Sequence, residues 1–325
     1  MSLPRSHFLF FLLLLVADLV PGQPPVGGGT CTKLTVRKEW RQLGRESQAS
    51  YIKAVKCLTT KPTTLRTRFR LRHYDDFQYV HSTLYMQVHF VARFLPWHRH
   101  MVFLYDQALR DCGYQDGVPH WDWTLDSADA SRSPVFSSDP QVGFGGNGTG
   151  RVDPRLPDDG GALQTGAFAN FQLIHPIPHL LHRKFDDMRE LSSNDVPYLG
   201  EFYANDKIAS IQRIPDFLAY SNNLEGKNPM LFPDAPIAPH SAIHMFIGGE
   251  MPSSIYAANE LWVDWQRQDW NNRRRAYHGN NVRGDQTEDA SLNDRMPFLG
   301  LGGRDPTVLQ AMDTTAFPYC YTYAK

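Results

Sequence analysis

Apolar residues recur at helical spacing along most of this 325-residue chain. The predicted helical segments are 36–58, 74–89, 100–114, 178–190, 206–220, 238–246 and 258–270. The first segment divides into two short helices, the second of which runs from about Ser50 to Leu58, and Gly113 is the expected stop of the third segment. The pattern contains no internal repeat, and it predicts a single, mainly α domain.

The first 22 residues depart from this pattern. Arg5 is followed by an apolar run from Phe8 to Val16 and then by small residues, as in a secretory signal peptide cleaved after Gly22. A run of about nine apolar residues is short for a membrane-spanning helix, which needs roughly 20. We therefore expect a secreted, extracellular protein that forms one domain over residues 23–325 and has no membrane association after cleavage.

Composition adds a few constraints. Hydrophobic residues make up 42% of the chain, enough for a sizeable core, and the net charge of -1 gives no indication of a nucleic-acid partner. Export permits disulfides, and Cys31, Cys57, Cys112 and Cys320 allow three pairings. Their positions favour a bridge between Cys31 and Cys320 near the mature ends, which leaves Cys57 for Cys112. The glycosylation sequon at Asn147 lies in a glycine-rich, exposed loop.

Histidine is unusually frequent, with 13 residues that are mostly grouped. His81, His89 and His98 are separated by seven and then eight residues. Neutral imidazole binds copper, zinc, iron and nickel. These spacings do not fit one helical face, so the three ligands would come from one helix, the loop after it and the start of the next. His100, two residues further on, is expected to face elsewhere.

His240 and His244 form a second candidate group. Four residues apart, they share one face of a helix and could hold one metal ion. A zinc metalloprotease motif would need glutamate after the first histidine, where this chain has Ser241, so that class is disfavoured.

Several motifs resemble those of the tyrosinase and catechol oxidase family, especially its short secreted fungal branch. They are YDDFQYVH, H-x4-FLPWHR, YDQALRDCGY, PHWDWT, PH-x-x-IHMFIGGEM and LWVDWQRQDW. The resemblance covers roughly residues 31–280. It implies a mainly α domain with a central four-helix bundle, long loops and little β-structure, which holds two copper ions on three histidines each.

The same resemblance implies the ligands and the reaction. His81, His89 and His98 would bind copper A, while His240 and His244 would be two of the three ligands of copper B. The partners would be O2 and a small phenolic substrate. An o-diphenol, and in some members a monophenol, would be oxidised to an o-quinone.

One segment of the family pattern is missing. The family continues from GGEM through N-D-P-x-F-x-x-H-H before L-W-x-x-W-Q, whereas here AANE runs directly into LWVDWQ at Glu260 and Leu261. The third copper B histidine is therefore absent. Two alternatives to an active oxidase follow: a catalytically impaired copper-binding family member, or a coding segment skipped between these two residues.

Three other positions differ from the family pattern. Gln87 stands where several fungal members carry a cysteine that is crosslinked to the second copper A histidine. Asp106 replaces the usual glutamate, a modest change. Ser241 stands where monophenol-hydroxylating members often have asparagine, which favours oxidation of diphenols.

Overall fold

A computed structural model describes residues 29–155, 160–188, 198–227, 236–249, 259–284 and 288–324. The predicted signal peptide, residues 1–22, lies outside this range. Of the helices in the described part of the chain, none is long and apolar enough to cross a lipid bilayer.

Helices form most of the regular secondary structure in the described residues. The α-helices are α1 (Arg45–Leu58), α2 (His73–Val88), α3 (Phe94–Asp111), α4 (Asn205–Gln212), α5 (Phe217–Glu225), α6 (Pro239–Ile247), α7 (Asn259–Gln268), α8 (Trp270–Arg273) and α9 (Val308–Ala311). Short 3-10 helices span Trp40–Gln42, Trp123–Asp126, Ala130–Arg132, Pro134–Phe136 and Leu199–Tyr203.

The strands are short and pair two by two. They are β1 (Thr35–Arg37), β2 (Gly161–Ala162), β3 (Gln172–Leu173), β4 (His179–Leu180), β5 (His182–Arg183) and β6 (Tyr321–Tyr323). β1 pairs in parallel with β6, whereas β2 pairs with β5 and β3 with β4 in antiparallel orientation. The β1–β6 pair brings the start and the end of the described chain together.

The helical prediction is confirmed for most segments and wrong for one. Within 178–190 the chain forms β4 and β5, because its backbone groups pair with β3 and β2 across the loop region. α1 begins at Arg45, earlier than the expected Ser50, and α3 begins at Phe94. α3 accommodates Pro96 because the first helical turn needs no backbone N–H donor there. Gly113 follows α3 with φ of 93°, as its expected role as a stop requires.

α3 is the central helix of the core. It packs against α1, α2, α7 and α9, and its residues from Phe94 to Met101 are all buried. Trp97 donates from Nε1 to the carbonyl of Pro297 at 2.7 Å and stacks on Phe298 with ring centroids 5.0 Å apart. The helix that carries His98 is therefore held on several sides.

The two expected disulfides are both present. Cys31 bonds to Cys320, which covalently joins the two ends next to β1 and β6. Cys57, in the last turn of α1, bonds to Cys112, directly after α3. The second bridge fixes the C-terminal ends of α1 and α3 against each other.

Candidate metal centre

His81, His89 and His98 converge to form a compact three-imidazole group, the triad. His81 lies on α2, His89 directly after that helix and His98 in the first turns of α3. One ring nitrogen from each lies within 4.8 Å of the others, and all three side chains are buried. The structure thus brings together ligands from a helix, a loop and the next helix, as the spacing predicted.

The backbone sets which nitrogen faces the centre in two of the three rings. Nδ1 of His98 lies 2.8 Å from the carbonyl oxygen of Phe94, and Nδ1 of His89 lies 3.2 Å from that of Tyr85. Since a carbonyl only accepts, these Nδ1 atoms donate, and each Nε2 keeps its lone pair. Nε2 of His98 is 3.2 Å from Nε2 of His81. At this spacing the two Nε2 atoms could both reach one bound cation.

Aromatic side chains enclose the triad. The ring of Tyr85 lies 4.4 Å from that of His89, and the ring of Trp97 lies 4.9 Å from that of His98. Phe94 lies between the two histidine groups, 4.8 Å from His98 and 5.1 Å from His240 between ring centroids. These rings shield the triad on the sides that they cover.

His240 and His244 form the second group, the pair, on α6. Their Nε2 atoms are 2.9 Å apart. The ring of His240 stacks on that of His89 at a centroid distance of 6.1 Å, so the pair and the triad share one site. Among the described residues, the only group of three or more potential metal ligands is the triad. The residues present therefore fit a first metal ion fully and a second one only in part.

Burial keeps these imidazoles neutral. Desolvation, followed by the neighbouring histidines, holds the pKa values of His89 and His98 well below the usual range. The pKa of His240 is lowered by the same causes, with His244 as the main neighbour. The neutral ring is the form that binds a metal ion.

Glu225 is a residue of the site that the sequence analysis missed. It ends α5 with 1% of its surface exposed, and its carboxylate accepts from the backbone N–H of Phe90 at 2.9 Å. Burial raises its pKa well above the usual range, against the effects of the Phe90 hydrogen bond and of Arg283. A lone acid 135 residues away from Phe90 has no local signal, because only the packing of α5 brings the two together.

Four other histidines of the described chain are engaged elsewhere. His100 faces away from the triad, as expected, with Nδ1 2.8 Å from the Tyr319 hydroxyl. His73 contacts Asp76, His175 contacts Ser82, and His278 contacts Asp216. None of these contacts points to a replacement for the absent third ligand.

The positions that depart from the family pattern differ in burial and in contacts. Gln87 is exposed on α2, and Asp106 is buried, with 3.3 Å to Arg110 and 3.8 Å to Arg37. The Ser241 hydroxyl donates to the main-chain carbonyl of Glu225 at 3.0 Å. Asn147 is exposed, as expected, while its side-chain oxygen accepts from the N–H of Phe185.

Comparisons with known proteins agree with this architecture. The family model described as the common central domain of tyrosinase matches residues 71–260. Tyrosinase-like protein phomQ1 of Diaporthe leptostromiformis is 34% identical over 90% of this chain and 78% of its own length. N-acetyl-6-hydroxytryptophan oxidase ivoB of Emericella nidulans is 27% identical over 98% of this chain and all of its own.

A solved structure extends the similarity to the whole fold. A variant polyphenol oxidase from Thermothelomyces thermophila superposes with a TM-score of 0.70 and 28% identity, covering 90% of this chain and 89% of the other. The predicted mainly α, tyrosinase-like fold is confirmed. The motifs, the fold and the histidine arrangement agree, and the chain belongs to the tyrosinase family, whose members are phenol oxidase-type enzymes.

Proposed function

We propose that this protein is a secreted copper oxidase that converts o-diphenols to o-quinones with O2. The observation that carries the proposal is the triad, in which one ring nitrogen from each of three buried imidazoles lies within 4.8 Å of the others and aromatic rings lie alongside. His81, His89 and His98 would hold copper A, and His240 and His244 would hold copper B. Secretion is supported by the signal-like residues 1–22 and by two disulfides, which persist in an oxidising compartment.

The chain supplies orientation and exclusion of water. When bound, two copper ions would carry the two electrons that an o-diphenol loses, together with two protons, on becoming an o-quinone, while half an O2 is reduced to water. Phe94 and Tyr85 offer flat apolar surfaces beside the imidazoles. The carbonyls of Phe94 and Tyr85 hold two of the rings in one tautomer.

Ser241 supports a diphenol over a monophenol as the substrate. Its hydroxyl donates to a main-chain carbonyl on α5. The position therefore carries no amide that could polarise a water molecule or a phenol at the pair. Catechol, rather than a simple phenol, is the expected test substrate.

A second candidate, favoured by the incomplete pair, is a family member that binds copper without oxidising phenols. Two imidazoles hold copper more weakly than three, so the triad alone would fill at low copper concentration. A transcript that contains a further coding segment between the codons of Glu260 and Leu261 would instead restore a complete copper B site. Sequencing the transcript across this junction decides that point.

Copper content and oxygen uptake separate the two functions. The secreted full-length product is loaded with copper, dialysed and assayed with catechol, and His98→Ala is the matched control that lacks one triad ligand. About two coppers per chain and oxygen-dependent quinone formation that His98→Ala abolishes would support the oxidase. Near one copper per chain, an intense Cu(II) EPR signal and no oxygen uptake would support the second candidate and overturn the first.

A further inference from the structure

The hydrogen bond between Glu225 and Phe90 lies beside the triad and has no role in the proposed function so far. The acceptor is a nearly fully buried carboxylate at the end of α5, and the donor is a backbone N–H at 2.9 Å. The contact joins two segments that are far apart in sequence.

Phe90 has an unusual backbone conformation. Its φ of 59° lies in the left-handed region, which is unfavourable for a residue with a Cβ and rare for an aromatic one. Phe90 directly follows His89, which is the first residue after α2. The turn that places the His89 ring is thus a strained one, and such turns persist where surrounding contacts hold them.

Glu225 also contacts the helix of the pair. Its main-chain carbonyl accepts from the hydroxyl of Ser241, the residue after His240. The two residues that bond to Glu225 are thus each next to a histidine of the site: Phe90 follows His89, and Ser241 follows His240. The rings of these two histidines stack at an angle of 21°. One residue bridges the segments that carry the two histidine groups.

Arg283 covers the outer side of the same turn. Its guanidinium lies 4.4 Å above the Phe90 ring and 5.3 Å from that of Tyr85, which itself packs on His89. The positive charge attracts the Glu225 carboxylate. The turn is thus held by the carboxylate on its backbone and by a cation–π contact on its side chain.

We propose that Glu225 is a positioning residue that fixes the imidazole of His89 relative to His81, His98 and His240. It acts by bonding the Phe90 N–H, and it does not contact the metal. The inference rests on the proposed function only in that the metal is copper. Residues that orient metal ligands from behind typically change metal affinity about 10- to 100-fold when replaced.

The test compares two substitutions of Glu225 in the full-length protein. Glu225→Gln keeps an acceptor oxygen, whereas Glu225→Met has similar size and none. Each is loaded with substoichiometric Cu(II), so that the tightest site fills first, and is examined by EPR and by competition with a chelator. We expect Met to change the parallel copper hyperfine splitting and to weaken copper binding about 10- to 100-fold. Glu225→Gln should match the wild type in hyperfine splitting and in copper affinity.

Asp106→Asn is the control for a general loss of stability. Asp106 is another buried carboxylate that accepts from a backbone N–H, that of Val118 at 3.2 Å, but it lies more than two turns beyond His98 on α3. Its EPR spectrum should match the wild type even if its melting temperature falls. A folded Glu225→Met protein with the wild-type spectrum and copper affinity would overturn the inference.

A double variant covers the case in which Glu225→Met does not fold. Glycine adopts a φ of 59° without strain, so Phe90→Gly should make the turn less dependent on the carboxylate. Phe90→Gly with Glu225→Met should then fold and bind copper more tightly than Glu225→Met, and failure to recover would also overturn the proposal. Because no readout needs turnover, the inference can stand even if catechol is not oxidised.

Discussion

The two histidine groups lie in one site but are built differently. The triad takes one ligand from α2, one from the turn after it and one from α3, and a disulfide joins the ends of α1 and α3. The pair takes both ligands from α6 alone. Three elements can surround an ion, whereas one helix face reaches it from a single side.

α7, which carries the LWVDWQ motif, is packed into the core. Trp262 and Trp265 of α7 are fully buried, and the guanidinium of Arg99 lies 3.5 Å above the Trp262 ring. Trp265 donates to the carbonyl of Ile214 at 2.6 Å, and Gln212 donates to that of Leu261 at 2.7 Å. Packing of α7 and completion of the pair are therefore separable.

Removing one ligand from each group should give the largest contrast. His98→Ala breaks the triad, and we expect retained copper after dialysis to fall to background. His244→Ala breaks only the pair and should leave the tightly held copper in place, because three imidazoles remain. Copper analysis of the two dialysed proteins measures the difference, and equal losses would refute the view that the triad is the stronger site.

The packing of α7 should matter for stability and hardly at all for the triad. Trp262→Ala removes a fully buried ring and is expected to cost about 3–5 kcal/mol of unfolding free energy. Trp270→Ala, in the next helix, removes a ring that is 37% exposed and should cost far less, so it serves as the control. Urea unfolding of both variants measures this, and similar costs would mean that α7 is not anchored as described.

The disulfide between α1 and α3 should stabilise the triad side of the molecule. Replacing both Cys57 and Cys112 by alanine is expected to lower the unfolding free energy by about 2–4 kcal/mol, since the bridge constrains the unfolded chain. The measurement is equilibrium urea unfolding without reductant. A loss below about 1 kcal/mol would indicate that the helices are held by packing alone.

His120, which lies outside both histidine groups, should make the smallest contribution, a dependence of stability on pH. Its pKa is lowered to about 4, chiefly by burial, with Asp122 opposing and Arg37 adding to the shift. His120 is protonated below about pH 6.5 in the unfolded chain but only below about pH 4 in the folded protein. The free energy of unfolding therefore falls as pH decreases through that window. The slope is about 1.4 kcal/mol per pH unit.

His120→Phe should remove this contribution to the pH dependence. The aromatic ring keeps a contact with Tyr323, which lies 5.4 Å from His120 between ring centroids. Unfolding free energies at several pH values between 4 and 6.5 provide the comparison with the wild type. An unchanged slope would show that other groups dominate the acid response.

Local spacing predicted much of the architecture. α2, α3 and α6 follow from helical periodicity, and the five histidines stand in motifs whose order along the chain is specific. The disulfide pairing followed from position relative to the chain ends. The helix expected at 178–190 was wrong because strand pairing with β3 and β2 outweighed the apolar spacing.

Sequence alone predicted which histidines could meet a metal ion, because ligand type and spacing are local properties. The Nδ1 partners of His89 and His98 are the carbonyls four residues earlier, which a helix brings close by itself, whereas the meeting of the two histidine groups was decided only by the tertiary structure. It alone placed Phe94 between the groups and brought Glu225 to the turn after His89. These contacts arise from helix packing between residues far apart in the chain, which a pattern of neighbours does not encode.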